Sequence, residues 1–318
     1  MIHTQGLTRH FRVEGRTVEA VRGLDIDVEA GELVAFLGPN GAGKSTALRM
    51  LTTLLAPTSG TATVAGRDVR ADPVGVRRRI GYVGQGHGAG TDQRVRDELR
   101  TQGRCQGLGR AQARTRADEL IESLELAAVA DRVTERLSGG QRRRLDVAMG
   151  LIHRPRLLFL DEPSTGLDPH SRANLWDHIA RLRAEHGTTI FLTTHYLDEA
   201  DTVAGRVSVI DHGRVIADGT PDKLKGKVSG DLVTVATDTE RAAGLAAEVA
   251  RRLPTAHGVT VEGAALSLRA DRGDAALPEL LRALDGAGVR LLTAQVQRPT
   301  LDDVFLTLTG RSLREGAE

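Results

Sequence analysis

The sequence predicts an α/β protein that carries a second, smaller α+β domain, and three observations support this. Strand-like and helix-like segments alternate through the first two thirds of the chain, as they do in α/β sheets. The run Leu157, Leu158, Phe159, Leu160 is short and continuously apolar, which suits a buried parallel strand and not a half-exposed one. After residue 230 the order becomes strand, helix, strand, strand, helix, strand, the split β-α-β order of ferredoxin-like domains.

Taken in order, residues 2–7, 18–21 and 24–28 alternate apolar and polar positions and predict an antiparallel lead-in sheet. Leu33, Val34, Ala35, Phe36 and Leu37 form an apolar strand. Gly38, Pro39, Asn40, Gly41, Ala42, Gly43, Lys44 and Ser45 follow, and then a helix-compatible run from Thr46. That octet fits G-x-x-x-x-G-K-[ST] in its required strand–loop–helix setting. Its glycines let successive backbone N–H groups turn inward on a polyphosphate. Lys44 adds positive charge, and the Ser45 hydroxyl can reach Mg²⁺. The chain is therefore expected to bind a nucleoside triphosphate.

A turn at Pro57 to Gly60 leads into a strand at 61–64, and 92–133 is charged with a helical period. Strands are predicted at 188–193 and 207–210, with a helix at 169–185 before the first of them. Three lysines and two glycines cluster between 221 and 230, which places the domain boundary there. Beyond it, strands are expected at 231–236, 258–261, 265–269 and 289–296, and helices at 239–252 and 275–286. A last helix at 301–308 has Thr300 as N-cap and aligns Leu301, Val304, Phe305 and Leu308.

Composition narrows the function classes. At 318 residues, 40% apolar and 27% charged, the chain has the makeup of a globular protein of two domains. Net charge is +1 and aromatics are 3%, which argues against nucleic-acid handling. The single cysteine, Cys105, excludes an internal disulfide and fits a reducing compartment. No export signal and no apolar run of membrane-spanning length is expected. The run Arg142, Arg143, Arg144 reads as a solvated or phosphate-facing helix surface.

Leu137, Ser138, Gly139, Gly140 and Gln141 open a second helix-compatible run, and here the chain resembles the ATP-binding-cassette (ABC) ATPases, whose signature this is. Further family motifs follow in the right order over residues 1–226. Asp161 after the 157–160 strand resembles the Walker B magnesium ligand, and Glu162 the carboxylate that orients or deprotonates the attacking water. Gln85 resembles the Q-loop residue, a Mg²⁺ and water ligand. Ser164 to Asp168 resemble the D-loop, and His195 after Thr193 and Thr194 resembles the switch histidine. The A-loop aromatic is most like Phe11, with His10 and Phe36 as competitors.

The resemblance implies a P-loop NTPase of the cassette type: a RecA-like core, an antiparallel β lead-in and a helical subdomain over about 86–150. ATP and Mg²⁺ are the implied cofactors. Two copies arranged head to tail would complete two sites, because Ser138, Gly139 and Gly140 face the partner's γ-phosphate in that family. Residues 227–318, through the run from Gln297 to Gly310, resemble the accessory domain of the daunorubicin-resistance subfamily. This chain keeps His195 where that subfamily often shows Gln. The implied role is the ATPase subunit of an exporter of drugs, antibiotics or lipids, peripheral at the cytoplasmic membrane face, with a polytopic permease on a separate chain. No nucleic-acid partner is expected. Four glycines in the seven residues 84–90 depart from an ordinary Q-loop and make it flexible. Rival readings are a soluble ABC ATPase of translation or DNA repair, and a nucleotide-binding adaptor without turnover.

Overall fold

The structure is a computed structural model that describes residues 1–228 and 230–310, His186 by its backbone only. The last eight positions of the expected 227–318 domain lie outside the described residues. The chain divides into two compact units, with the division falling between Pro221 and Asp222.

The first unit begins with an antiparallel sheet. β1 (Ile2–Val13), β2 (Arg16–Leu24), β3 (Asp27–Val28), β5 (Ser59–Val64) and β6 (Arg67–Asp68) compose it, in the order β2-β1-β5-β6 with β3 beside β1. The segment 24–28, expected as one strand, is split. Thr4 Oγ1 donates to Leu24 O and accepts from Ile26 N, and the Asp25 carboxylate accepts from Gly6 N at 2.7 Å. Side chains thus take the bonds that a continuous ladder would have made.

The central sheet holds β4 (Leu33–Leu37), β7 (Ile80–Val83), β8 (Leu157–Asp161), β9 (Thr189–Thr194), β10 (Arg206–Asp211) and β11 (Arg214–Gly219). Their order is β11-β10-β4-β9-β8-β7, with all neighbours parallel except the β10–β11 hairpin. β4, β8 and β9 are buried at every position, as strands covered on both faces must be. The Phe191 ring lies 5.5 Å from Phe36 and 5.8 Å from Phe159, so the three middle strands are locked together by aromatic contact. α1 (Lys44–Leu51) buries Ala47, Leu48, Met50 and Leu51 in the same core.

Helices α2 (Pro73–Arg77), α3 (Val95–Cys105), α4 (Arg110–Ser123), α5 (Gly139–Leu151), α6 (Pro169–His186) and α7 (Leu197–Val203) complete the unit. α3 and α4 occupy the stretch that was expected to be helical. β7, β11 and α7 carry no strong periodicity and were not foreseen. Among the described residues no helix is long and apolar enough to cross a membrane.

α8 (Pro221–Lys225) spans the division, and the second unit continues with β12 (Asp231–Thr237), α9 (Glu240–Ala250), β13 (His257–Glu262), β14 (Ala265–Ala270), α10 (Gly273–Gly286), β15 (Leu291–Gln297) and α11 (Leu301–Thr309). The sheet order β13-β14-β12-β15, antiparallel throughout, is the ferredoxin-like arrangement. Val233, Val235, Leu266 and Leu268 meet Ala246, Ala247 and Ala250 of α9 and Leu280 and Leu284 of α10 in one core. Thr300 caps α11, accepting from Asp303 N, while Leu308 stays 46% exposed instead of joining the buried stripe.

Candidate active site

Three parallel strands end side by side at the centre of the sheet, and each delivers part of one cleft, as expected at the carboxyl ends of an open α/β sheet. β4 leads into the loop 38–45. Gly41 and Gly43 have φ of +78° and +102°, in the left-handed region. A Cβ on Gly43 would stand 2.4 Å from Ala20 O, and one on Gly38 would stand 2.3 Å from Ile210 O. Gly43 serves as N-cap of α1 with no side-chain cap bond, so the first amides of the helix face the cleft unspent. Gly43→Ala is therefore expected to destabilise the fold by about 2–4 kcal/mol through strain and overlap. Chemical denaturation would show the shift, and nucleotide binding would weaken with it.

The cleft has a volume of about 200 Å³ and is lined by Ala20, Pro39, Asn40, Gly41, Gly43, Lys44, Ser45, Thr46, Gln85 and Glu162. Larger hollows elsewhere, including one between α6 and α7, hold none of the loop residues. Lys44 is 4% exposed and donates to Gly38 O at 2.8 Å and Pro39 O at 3.1 Å. Its Nζ also stands 3.2 Å from Glu162 Oε1. Burial pushes the Lys44 pKa down, while Glu162 and Asp161 work against that shift. The ammonium thus rests on carbonyls and a carboxylate, where a phosphate could replace them.

β8 supplies the acids. Ser45 Oγ donates to Asp161 Oδ1 at 3.0 Å, and Thr193 Oγ1 donates to the same oxygen at 2.7 Å. Glu162 follows with φ of +45°, a left-handed conformation that costs a non-glycine residue about 1–3 kcal/mol. It is held there by its N–H, which donates to Thr193 O at 3.2 Å and Thr193 Oγ1 at 3.0 Å.

β9 supplies His195, whose Nδ1 lies 3.3 Å from Glu162 Oε2. The ring is not aligned for a formed hydrogen bond, and Nδ1 is buried without a partner. The approach of His195, and after it the Lys44 ammonium, holds the Glu162 carboxyl down to about 2 against the opposing effect of burial. Tyr196 covers the outer face of the His195 ring at 4.1 Å between centroids.

The other expected positions lie apart from this cleft. Ser138 caps α5 and accepts from Gln141 N at 3.3 Å, and Gln141 Oε1 accepts from Ser138 N at 3.0 Å. Gly139 is exposed at the helix start, and a Cβ on Gly140 would meet Ser171 Oγ at 2.7 Å. Asp168 caps α6 by accepting from Ser171 N at 2.9 Å. The starts of α5 and α6 are thereby packed against each other. Phe11 does not line the cleft. It is half-buried on β1 beneath the Arg9 guanidinium, 4.7 Å from the ring centroid. Phe36 is wholly buried and cannot stack a base, whereas His10 is half-buried.

The arginine run is not a solvated surface. Arg143 is 4% exposed and bonded to three backbone carbonyls, and Arg144 is half-buried against Asn174 and His178. The helical period turns position 143 inward, which three identical residues in a row conceal. Thr193 was also missed as a site residue, since a threonine near a strand end carries no motif of its own.

Residues 21–165 match the ABC transporter family, and residues 219–309 match the family described as ATP-binding protein DrrA1-3-like, C-terminal domain. The chain is 46% identical over 303 residues to the daunorubicin resistance ATP-binding protein DrrA3 of Streptomyces coeruleorubidus, covering 94% of each. The chain belongs to the ABC transporter ATP-binding family. Within it, the daunorubicin-resistance subfamily fits both parts of the sequence. The daunorubicin/doxorubicin resistance ATP-binding protein DrrA of Streptomyces peucetius is 44% identical, over 100% of this chain and 96% of its own. Among solved structures, cbiO1 of Clostridium perfringens, part of an ABC transporter complex, is 26% identical with a TM-score of 0.65, covering 80% of this chain and 95% of its own. A post-hydrolysis dimer of the ATP-binding cassette MJ0796 bound to ADP and Pi has a TM-score of 0.64 at 24% identity, covering 69% of this chain and 98% of its own. As an ABC transporter ATPase, the chain binds and hydrolyses ATP.

Proposed function

We propose that the chain powers export of amphipathic drugs, antibiotics or lipids, as the ATP-hydrolysing subunit of a transporter whose permease is a separate polytopic chain. The observation that carries the catalytic part is the convergence of Lys44, Ser45, Asp161, Glu162 and His195 at the ends of three adjacent strands. The export part rests on likeness to relatives named for daunorubicin and doxorubicin resistance.

The residues act in distinct ways. The loop amides from Gly38 to Thr46, with Asn40 and Gly41, enclose the β- and γ-phosphates, and Lys44 exchanges Glu162 and the loop carbonyls for phosphate oxygens. Glu162 orients or deprotonates a water in line with the γ-phosphorus, and His195 stabilises charge on the transferred group. Ser45, Asp161 and Gln85 make a sparse oxygen donor set. That fits Mg²⁺, which keeps waters and arrives with phosphates, better than an ion caged by protein alone. Bound there, Mg²⁺ would neutralise charge on the phosphate oxygens.

Ser138, Gly139, Gly140, Gln141 and Asp168 stand outside the cleft because they belong to the other half-site. A second copy placed head to tail brings them over the nucleotide, as a closed two-fold pair permits. The dimeric MJ0796 cassette supports that arrangement. Phe11 is a base-stacking candidate on the lead-in sheet. The assembly sits on the cytoplasmic face of the membrane through its permease.

The test is capture of tagged Glu162→Gln protein from detergent-solubilised host membranes with Mg·ATP present. Recovery of a polytopic membrane protein is expected. Recovery of ribosomes or nucleic acid, with the chain in the soluble fraction, would discard export and favour a soluble ATPase.

A further inference from the structure

The signature helix does more than present its first turn. Arg143, one turn into α5, sends its guanidinium into the core. Nη1 donates to Gly84 O at 2.7 Å, Nη2 to Asp161 O at 3.2 Å and Nε to Pro163 O at 2.6 Å. A further turn on, Asp146 is 4% exposed. Its Oδ1 accepts from Gly88 N at 2.9 Å and its Oδ2 lies 3.2 Å from His87 Nδ1. The two side chains approach each other at 4.0 Å, so the buried cation has a counter-charge.

Between these grips lies the segment Gly84, Gln85, Gly86, His87, Gly88. Three glycines in five residues give it little conformational preference of its own. A Cβ on Gly86 would meet nothing within 4 Å, so the middle of the segment is not held by packing. What fixes it are contacts at its two ends, all from α5: Arg143 on Gly84 O, and Asp146 on Gly88 N and His87. The guanidinium serves the carbonyls of Gly84, Asp161 and Pro163 each with a different nitrogen of its rigid planar fork, a geometry that the single nitrogen of a lysine does not reproduce.

We propose that Arg143 and Asp146 are positioning residues that hold Gln85 in register with the Asp161–Glu162 strand end and make it follow the signature helix. Gln85 then reaches the cleft only when α5 is in place. Movement of α5 at the dimer interface is passed directly to the segment that lines the nucleotide. The catalytic consequence rests on the role proposed above for Gln85, whereas the clamp itself rests on the bonds alone.

Two readouts on the full-length chain test it. The first is hydrogen exchange of the Gly88 amide, whose acceptor is Asp146 of α5. Arg143→Gln is expected to speed its exchange by about tenfold or more while β7 and β8 keep their protection. Unchanged exchange would overturn the clamp. The second is a double-mutant cycle on ATP turnover. Gln85→Ala and Arg143→Gln are each expected to lower kcat by about tenfold with KM changed less than about threefold, and the pair to fall no further than either alone. Multiplying effects would show that Arg143 acts otherwise and overturn the positioning role. If Gln85→Ala leaves kcat intact, the reading of Gln85 fails, and exchange still decides the clamp. Should Arg143→Gln not fold, Asp146→Ala, which leaves Gly88 N–H without its acceptor, takes its place in both.

Discussion

Glu162→Gln is expected to slow phosphate release by about 100-fold to 10,000-fold, the usual loss when a positioned general base is removed. Nucleotide affinity is expected to stay within about threefold, because the loop amides and Lys44 are untouched. The variant keeps the volume of the side chain and the φ of +45° that the strand end imposes, so geometry is held while charge is lost. In the cleft the carboxyl is held at about 2, between His195 and Lys44, and is a weak base. Phosphate entering the loop competes for Lys44 and relieves one of those two influences. The base therefore strengthens when substrate arrives. Phosphate release measured beside equilibrium nucleotide binding separates the two quantities. Equal turnover in wild type and variant would refute the assigned role of Glu162 and favour an adaptor that only binds nucleotide.

The parts of this site that were legible in the sequence share one property: local spacing is enough to specify them. A phosphate-binding loop needs its glycines at fixed offsets because its backbone conformation is encoded within eight residues, and φ of +78° and +102° at Gly41 and Gly43 is the structural form of that requirement. Continuous apolar runs announced β4, β8 and β9 for the same reason, since a strand covered on both faces has no polar alternation. The ferredoxin-like order was visible as a sequence of short periodic elements.

What was not legible depends on contacts between distant segments. β7 has only Ile80, Tyr82 and Val83 to mark it and is a strand because β8 pairs with it. Thr193 becomes a site residue only when β9 lies beside β8 and its hydroxyl meets Asp161. Arg143 looked like surface because its partners, the carbonyls of Gly84, Asp161 and Pro163, leave no trace in side-chain composition. The surroundings of Phe11 are of the same kind: on β1 it pairs with Val18 and carries Arg9 on its face, contacts that its place in the sequence does not announce.

Lys44→Ala is expected to weaken triphosphate binding by about 100-fold or more, since it removes a charge-assisted contact to two phosphate groups. It is also expected to cost the ligand-free fold about 3–5 kcal/mol, as breaking a buried ion pair does. The amine supports Gly38 O and Pro39 O, and its loss leaves both carbonyls without that donor and Glu162 with His195 as its remaining close neighbour. Acid titration gives a second, independent readout. Glu162 is depressed from 4.5 to about 2 in the fold. A carboxyl of lowered pKa contributes stability that is complete above its unfolded value and is lost as pH falls through the folded one. Wild type should therefore lose this contribution between about pH 4.5 and 2. Without Lys44 the folded pKa moves up towards the ordinary value, so the same pH span removes less stability and the slope flattens. Denaturant unfolding of both proteins at several pH values in that range measures it directly. A variant with wild-type slope would mean that His195 alone sets the charge of Glu162, and that the cleft relies on His195, not Lys44, to hold its carboxylate before nucleotide binds.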